Sequence, residues 1–228
     1  MTSTLRVEIE EGPRGKVWVA VAADWPGLER NGRAEEQAIE TLRAYMPRYA
    51  AVAERAGLGD ELDAATDVDI IERYTGTGST DFWGISFAPS GLDRQPVDDA
   101  TFDRWIALLR AAWAEFDDVA ASVSAELRLG PRGGGRDRDR IVRHVLGTEG
   151  VDFSKRVKAP SATDDLLPAA GRAAHRDRYV DAMRSWRAED KPLGNWTLLY
   201  LIRHSAYHVM DHAWEMQDRD LSGDDHSA

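Results

Sequence analysis

The sequence predicts a small α+β domain over residues 1–90 followed by an all-α four-helix bundle over residues 97–219, and three observations carry that prediction. Near the start of the chain apolar residues alternate with polar ones, the period of a half-buried strand. Beyond residue 100 they return every three or four positions, the period of amphipathic helices. Between the two regimes lies APSGLDRQPVDD, whose Pro, Gly and Asp content reads as a linker.

Taken in order, Leu5, Val7 and Ile9 fall on one face of the first strand and Arg6, Glu8 and Glu10 on the other, so the acidic face is expected in solvent. GPRGK then turns the chain and residues 17–21 form a second strand, which makes residues 5–22 a hairpin. A Pro-Gly turn follows at Pro26 and Gly27. Residues 34–55 have helical spacing at Ile39, Leu42, Met46, Tyr49 and Ala53, with Pro47 expected to kink or split the helix. VDIIERY (68–74) and FWGISF (82–87) read as two further strands joined by the loop GTGST.

The first long helix is predicted over residues 101–127, with Phe102, Trp105, Ile106, Leu109, Trp113, Phe116 and Val123 in its stripe and Asp98 or Asp99 as cap. GPRGGG separates it from a second helix over 137–157. A third follows over 166–187 and a fourth over 195–219, an amphipathic set that fits a four-helix bundle. Residues 220–228, ending in SGDDHSA, read as a disordered tail. Of the tryptophans, Trp105, Trp113 and Trp186 sit at core spacing, and Trp18 and Trp83 lie in predicted strands.

Bulk properties narrow the chemistry. The chain has 228 residues and a formal charge of −11, which argues against a broad phosphate-tracking surface and hence against a nucleic-acid partner. It has no cysteine, which removes disulfides, thiolate ligands and Cys nucleophiles. No apolar segment opens the chain, and Glu8, Glu10 and Glu11 oppose a signal peptide. No window approaches the roughly 18–20 continuous apolar residues of a membrane span. A cytoplasmic protein acting on a small molecule, with no membrane partner, is expected.

Of the six histidines, three stand at intervals of four in RHSAYHVMDH: His204, His208 and His212. Such spacing stacks rings on one helical face. His208 and His212 fall on or beside the stripe made by Leu198, Ile202, Ser205, Val209 and Met216, and His204 lies at its edge. On the second helix His144 shares the inward face with Ile141, Val145 and Thr148. Burying a polar ring without a partner costs roughly 1–3 kcal/mol. Two arrangements remove that cost: a divalent ion shared by His144, His208 and His212, or hydrogen-bonded histidines at a helix seam. Three imidazoles without a fourth protein donor form an open, catalytic type of site. Glu215, three residues beyond His212, can orient a ligand, act as a base, or stand solvated at the helix end. His175 is assigned a capping or surface role, and His226 belongs to the tail. GPRGGGRDRDR lacks the spacing and the Lys-Ser/Thr of a phosphate loop.

Two stretches resemble known families. RGGGRDRDRIVRHVLGTEG together with NWTLLYLIRHSAYHVMDHAWEMQDR resembles the DinB-like proteins, metal-binding four-helix bundles, over about residues 97–219. In that family one His of the second helix and an H-x-x-x-H pair of the last bind the metal, which implies His144, His208 and His212 here, with His204 as the substitute ligand if the register differs. The resemblance implies zinc or nickel, a low-molecular-weight thiol as cosubstrate, and a thiol S-transferase or metal-assisted hydrolase. It also implies a homodimer, which the long Trp-rich first helix would support. WVAVAADWPGLERNGRAEEQAIETLRAYMPRY is similar to the HicB-like fold, a small sheet with a helix whose members include antitoxins. Antitoxin members often carry a separate DNA-binding module, where this chain carries helices. That similarity implies the alternative function: a non-enzymatic regulatory protein that recognises a basic protein partner, with the metal a structural pin.

Overall fold

The computed structural model describes residues 3–130 and 135–223. The protein is α+β, with one four-stranded sheet near the N-terminus followed mostly by helices. It divides into two compact units, Met1–Ala112 with Gly194–Tyr207 and Trp113–Leu193 with His208–Ala228. Residues 131–134 of the GPRGGG loop, and residues 224–228 of the predicted tail with His226, lie outside the described residues. Among the described residues no helix is long and apolar enough to cross a membrane.

In the first unit β1 (Ser3–Glu11) and β2 (Trp18–Ala22) form the predicted antiparallel hairpin, with Glu11 opposite Trp18 and Val7 opposite Ala22. The Pro-Gly turn brings in β3 (Glu29–Gly32), a strand whose polar sequence carries no alternation to read. Gly27 sits there at φ +98°, and a Cβ would meet the backbone of Ala206 at 3.2 Å, so only glycine fits. The helix α1 (Glu35–Arg55) packs on β2 and β3 through Ala38, Leu42, Tyr49, Val52 and Ala53. It is one helix through Pro47 and is not split there. Pro47 is exposed, so its missing N–H forfeits one hydrogen bond on the solvent side while the packed residues hold both halves. After α2 (Gly59–Ala64), β4 (Ala65–Thr75) joins β1 in parallel, giving the order β3-β2-β1-β4.

The strand expected at 82–87 does not form. The segment opens instead in α3 (Gly78–Trp83), because Thr77 and Thr80 make a reciprocal cap and Gly84, at φ +71°, ends the helix. Phe82 and Trp83 consequently lie 71% and 66% exposed, so Trp83 is neither a strand nor a core residue. The acidic face of β1 departs from expectation too: Glu8 and Glu10 are as buried as Val7 and Ile9. The segment 84–95, read mostly as linker, covers them, and its Ser86, Ser90 and Asp93 are buried.

The helix α4 (Asp99–Ser122) is shared by the two units and is capped as expected, with Thr101 donating to the Asp98 carboxylate at 2.7 Å. In the second unit α5 (Arg138–Gly147) is shorter than the predicted second helix. It passes into a π-helical turn at Thr148–Phe153 and a tight 3₁₀ turn at Ser154–Val157. At Gly150 a Cβ would lie 2.7 Å from both Leu166 and the Ser161 carbonyl, so the glycine lets the chain come that close. Pro168 separates a short α6 (Thr163–Leu166) from α7 (Ala169–Ala188), which is the predicted third helix begun three residues later. Tyr179 of α7 meets the Trp113 ring at 5.9 Å, and Arg176 bridges Asp117 and Glu149. The helix α8 (Leu198–Asp218) is the last and, like α4, contributes to both units. The chain closes on itself where Ser124 donates its backbone N–H to Asp220 at 2.9 Å.

Candidate metal centre

His144 enters from α5, where Asp137 caps the helix by accepting from the Arg140 N–H at 2.8 Å. Ile141, Val145 and Leu146 are buried, which fixes the rotation of α5 and carries His144 to the edge of that face. His208 and His212 enter from α8 one turn apart, between the buried Val209, Met210, Ala213 and Trp214. All three rings are half-buried, and one nitrogen of each lies within 4.8 Å of the others. The ring centroids stand 5.2 Å (His144–His208), 5.0 Å (His144–His212) and 4.9 Å (His208–His212) apart. Phe153 from the π-helical turn sets its ring edge-on to His208 at 5.5 Å.

Glu215 fixes the chemistry of one ring. Its Oε2 lies 2.8 Å from Nδ1 of His212, so an Nδ1–H donates to the carboxylate and Nε2 is left as the lone-pair nitrogen. The other oxygen, Oε1, accepts from Arg219 at 2.8 Å. These two contacts, that to His212 first, hold the Glu215 carboxyl below the usual range. Burial, then Arg136 and His212, push His144 down, which favours the neutral imidazole that ligation requires.

The donor set fits a divalent ion. A tetrahedral ion with bonds of about 2.1 Å separates its ligand nitrogens by about 3.4 Å. Small side-chain rotations bring nitrogens within 4.8 Å to that spacing. Three neutral imidazoles suit Zn, Ni, Cu and Fe.

The three histidines selected from the sequence are thus brought together, and two others are placed elsewhere. His204 is buried in the first unit, stacked on Tyr200 at 5.2 Å with Trp196 and Phe87 around it, and does not belong to the cluster. His175 is fully buried on α7, its Nδ1 2.8 Å from the Ser161 hydroxyl, which corrects the capping or surface role expected for it. Sequence reasoning also missed Arg203, which is buried and donates to Asp93 at 2.7 Å. Its only sequence signal is a charged residue among Leu201, Ile202 and Ser205 on an apolar stretch of α8. Comparison with family models, with curated proteins and with solved structures returns no match.

Proposed function

We propose that the protein is a metal-dependent enzyme of the DinB-like type, a thiol S-transferase or metal-assisted hydrolase, whose helical part is a four-helix bundle holding zinc or nickel through His144, His208 and His212. The observation that carries this reading is the convergence of three imidazole nitrogens from two helices to within 4.8 Å, in a group that takes in no fourth His or carboxylate among the described residues. A bound divalent ion lowers the pKa of a coordinated water or thiol toward neutrality and so supplies a nucleophile. The chain's own part is to hold the ion and keep a coordination position open. Glu215 keeps the His212 Nδ1–H engaged, and Phe153 walls the His208 side. Without a cysteine in the chain, a thiol nucleophile comes from a small cosubstrate.

Elemental analysis of untagged protein tests the site: the expectation is one divalent ion per chain, lost in His144→Ala and in His208→Ala. Unchanged metal content in both variants would overturn the assignment. Turnover of a panel of thiols with electrophiles, and of hydrolysable esters and amides, by the loaded protein but not by His208→Ala then separates an enzyme from a metal-binding protein.

One observation favours the second reading, a regulatory protein of HicB-like type with a protein partner. Phe82 and Trp83 stand adjacent and exposed, 4.6 Å apart between ring centroids, as contact residues of an interface do. The charge of −11 suits a basic partner. A basic protein retained by the wild type and released by Trp83→Ala would support that reading.

A further inference from the structure

The first unit buries its acids. Glu8 and Glu10 of β1, Glu29 of β3 and Asp93 of the 84–95 segment are each no more than 3% exposed, and Glu72 of β4 is half-buried beside them. The cation bonded into this cluster is Arg203 of α8, with three contacts to Asp93 at 2.7–3.1 Å and one to Glu29 at 3.3 Å. Arg30, next to Glu29 on β3, lies over the Tyr45 ring of α1 at 3.9 Å, on the opposite face. The two phenols that face the cluster, Tyr74 and Tyr200, are held in the protonated form by burial. Four buried carboxyls facing one guanidinium cannot all be ionised without a large desolvation cost. Glu8 Oε1 is buried and has no hydrogen-bond partner among the described residues.

The same carboxyls seat the 84–95 segment, which has only a single 3₁₀ turn at Leu92–Arg94 as regular structure. Glu29 accepts from the Ser86 N–H at 3.2 Å, and Glu10 from the N–H groups of Phe87 and Ala88 at 3.0 and 3.3 Å. Glu72 accepts from those of Gly91 and Leu92 at 2.9 and 3.3 Å. From α8, the Tyr200 hydroxyl donates to the Ser86 carbonyl at 3.0 Å, and the His204 ring lies 5.7 Å from that of Phe87. The segment is therefore held to the sheet by hydrogen bonds from its backbone to Glu10, Glu29 and Glu72.

We propose that Glu8 and Glu29 form a proton-operated latch: while they hold protons the 84–95 segment stays seated on the sheet, and ionisation of both releases it. The direction follows from linkage. Burial, outweighing Ser90 and Arg203, pushes Glu8 up to about 7, and burial, outweighing Arg203 and Ser86, does the same for Glu29. The seated form thus binds more protons than the open form between the ordinary carboxylate range and about 7, and seating weakens as pH rises through 7. Within that window each carboxyl contributes up to about a tenfold loss of seating per pH unit, and the loss levels off above about 7.

Hydrogen exchange of the full-length protein between pH 5 and 8, corrected for the intrinsic dependence of the exchange chemistry, reads the latch. Peptides covering 85–93 are expected to lose protection by more than tenfold, while those of α1 keep theirs. In Glu8→Gln/Glu29→Gln, where both side chains stay neutral, protection of 85–93 becomes independent of pH. Constant protection in the wild type, or an undiminished loss in the double variant, would overturn the proposal. Carboxyl-carbon NMR of the wild type provides a check that needs no variant: titration of Glu8 and Glu29 near 7 supports the latch, and titration of both below 5 sinks it.

Discussion

Glu215 is the side chain on which the candidate centre most visibly depends, because it sets which nitrogen of His212 faces the other rings. Removing an outer carboxylate from a ligating imidazole typically costs about 10–100-fold in metal affinity. Glu215→Ala is therefore expected to bind metal that much more weakly in a chelator competition, and Arg219→Ala, one contact further out, less so. Equal affinities for Glu215→Ala and wild type would reduce the carboxylate to a helix-end ion pair. His175 makes a different prediction. Burial first, then Arg178 and Arg176, push it down to about 4, while the unfolded chain takes up that proton near 6.5. The unfolded state binds more protons in that window, so the native state loses stability as pH falls from 6.5 toward about 4. His144 shifts in the same direction, whereas Glu149, raised by burial, has the opposite sign. Urea midpoints of His175→Gln should fall less steeply than the wild type's between pH 6.5 and 4.5, and parallel slopes would remove His175 from the account. His208 and His212 were legible because a four-residue interval beside an apolar stripe states a face, and His144 because it shares a face with Ile141 and Val145. Glu8 and Glu10 were not, since strand alternation cannot reveal that a second layer covers the polar face.

At the level of single elements, α1 shows tertiary packing overruling a local breaker. Its exposed Pro47 denies the Arg43 carbonyl the usual i+4 N–H donor while Leu42 and Tyr49 stay packed. Restoring the N–H with Pro47→Ala is expected to stabilise the protein by about 2 kcal/mol, the helix gain less the entropy returned to the unfolded chain. A midpoint of unfolding that does not rise would show strain elsewhere in α1. The opposite lesson comes from α3, where the cap outweighs a strand-like run of Phe, Trp and Ile. FWGISF misled because its apolar residues pack only in part, and the Thr77–Thr80 cap with Gly84 decides the backbone. The change of period near residue 100 was the most readable boundary in the sequence, and the helices beyond it formed within a few residues of expectation where no Gly or Pro intervened.

Across the whole chain, the two units give metal binding a spatial signature. His144, His208 and His212 all belong to the second unit. An ion at 100 times its dissociation constant stabilises the states that bind it by about 2.7 kcal/mol. Its addition should slow exchange in α5 and the C-terminal half of α8 while leaving β1–β4 unchanged. Protection spread evenly over both units would mean that they open only together. The units are discontinuous in sequence, each made of two separate stretches of chain. One helix carries Arg203 for the buried acids of the first unit and, five residues on, His208 for the second. A gene fragment stopped at residue 112 would hence code for a sheet whose inner carboxyls have lost their guanidinium, and recombination or fusion at the apparent boundary should yield insoluble material rather than a free-standing module.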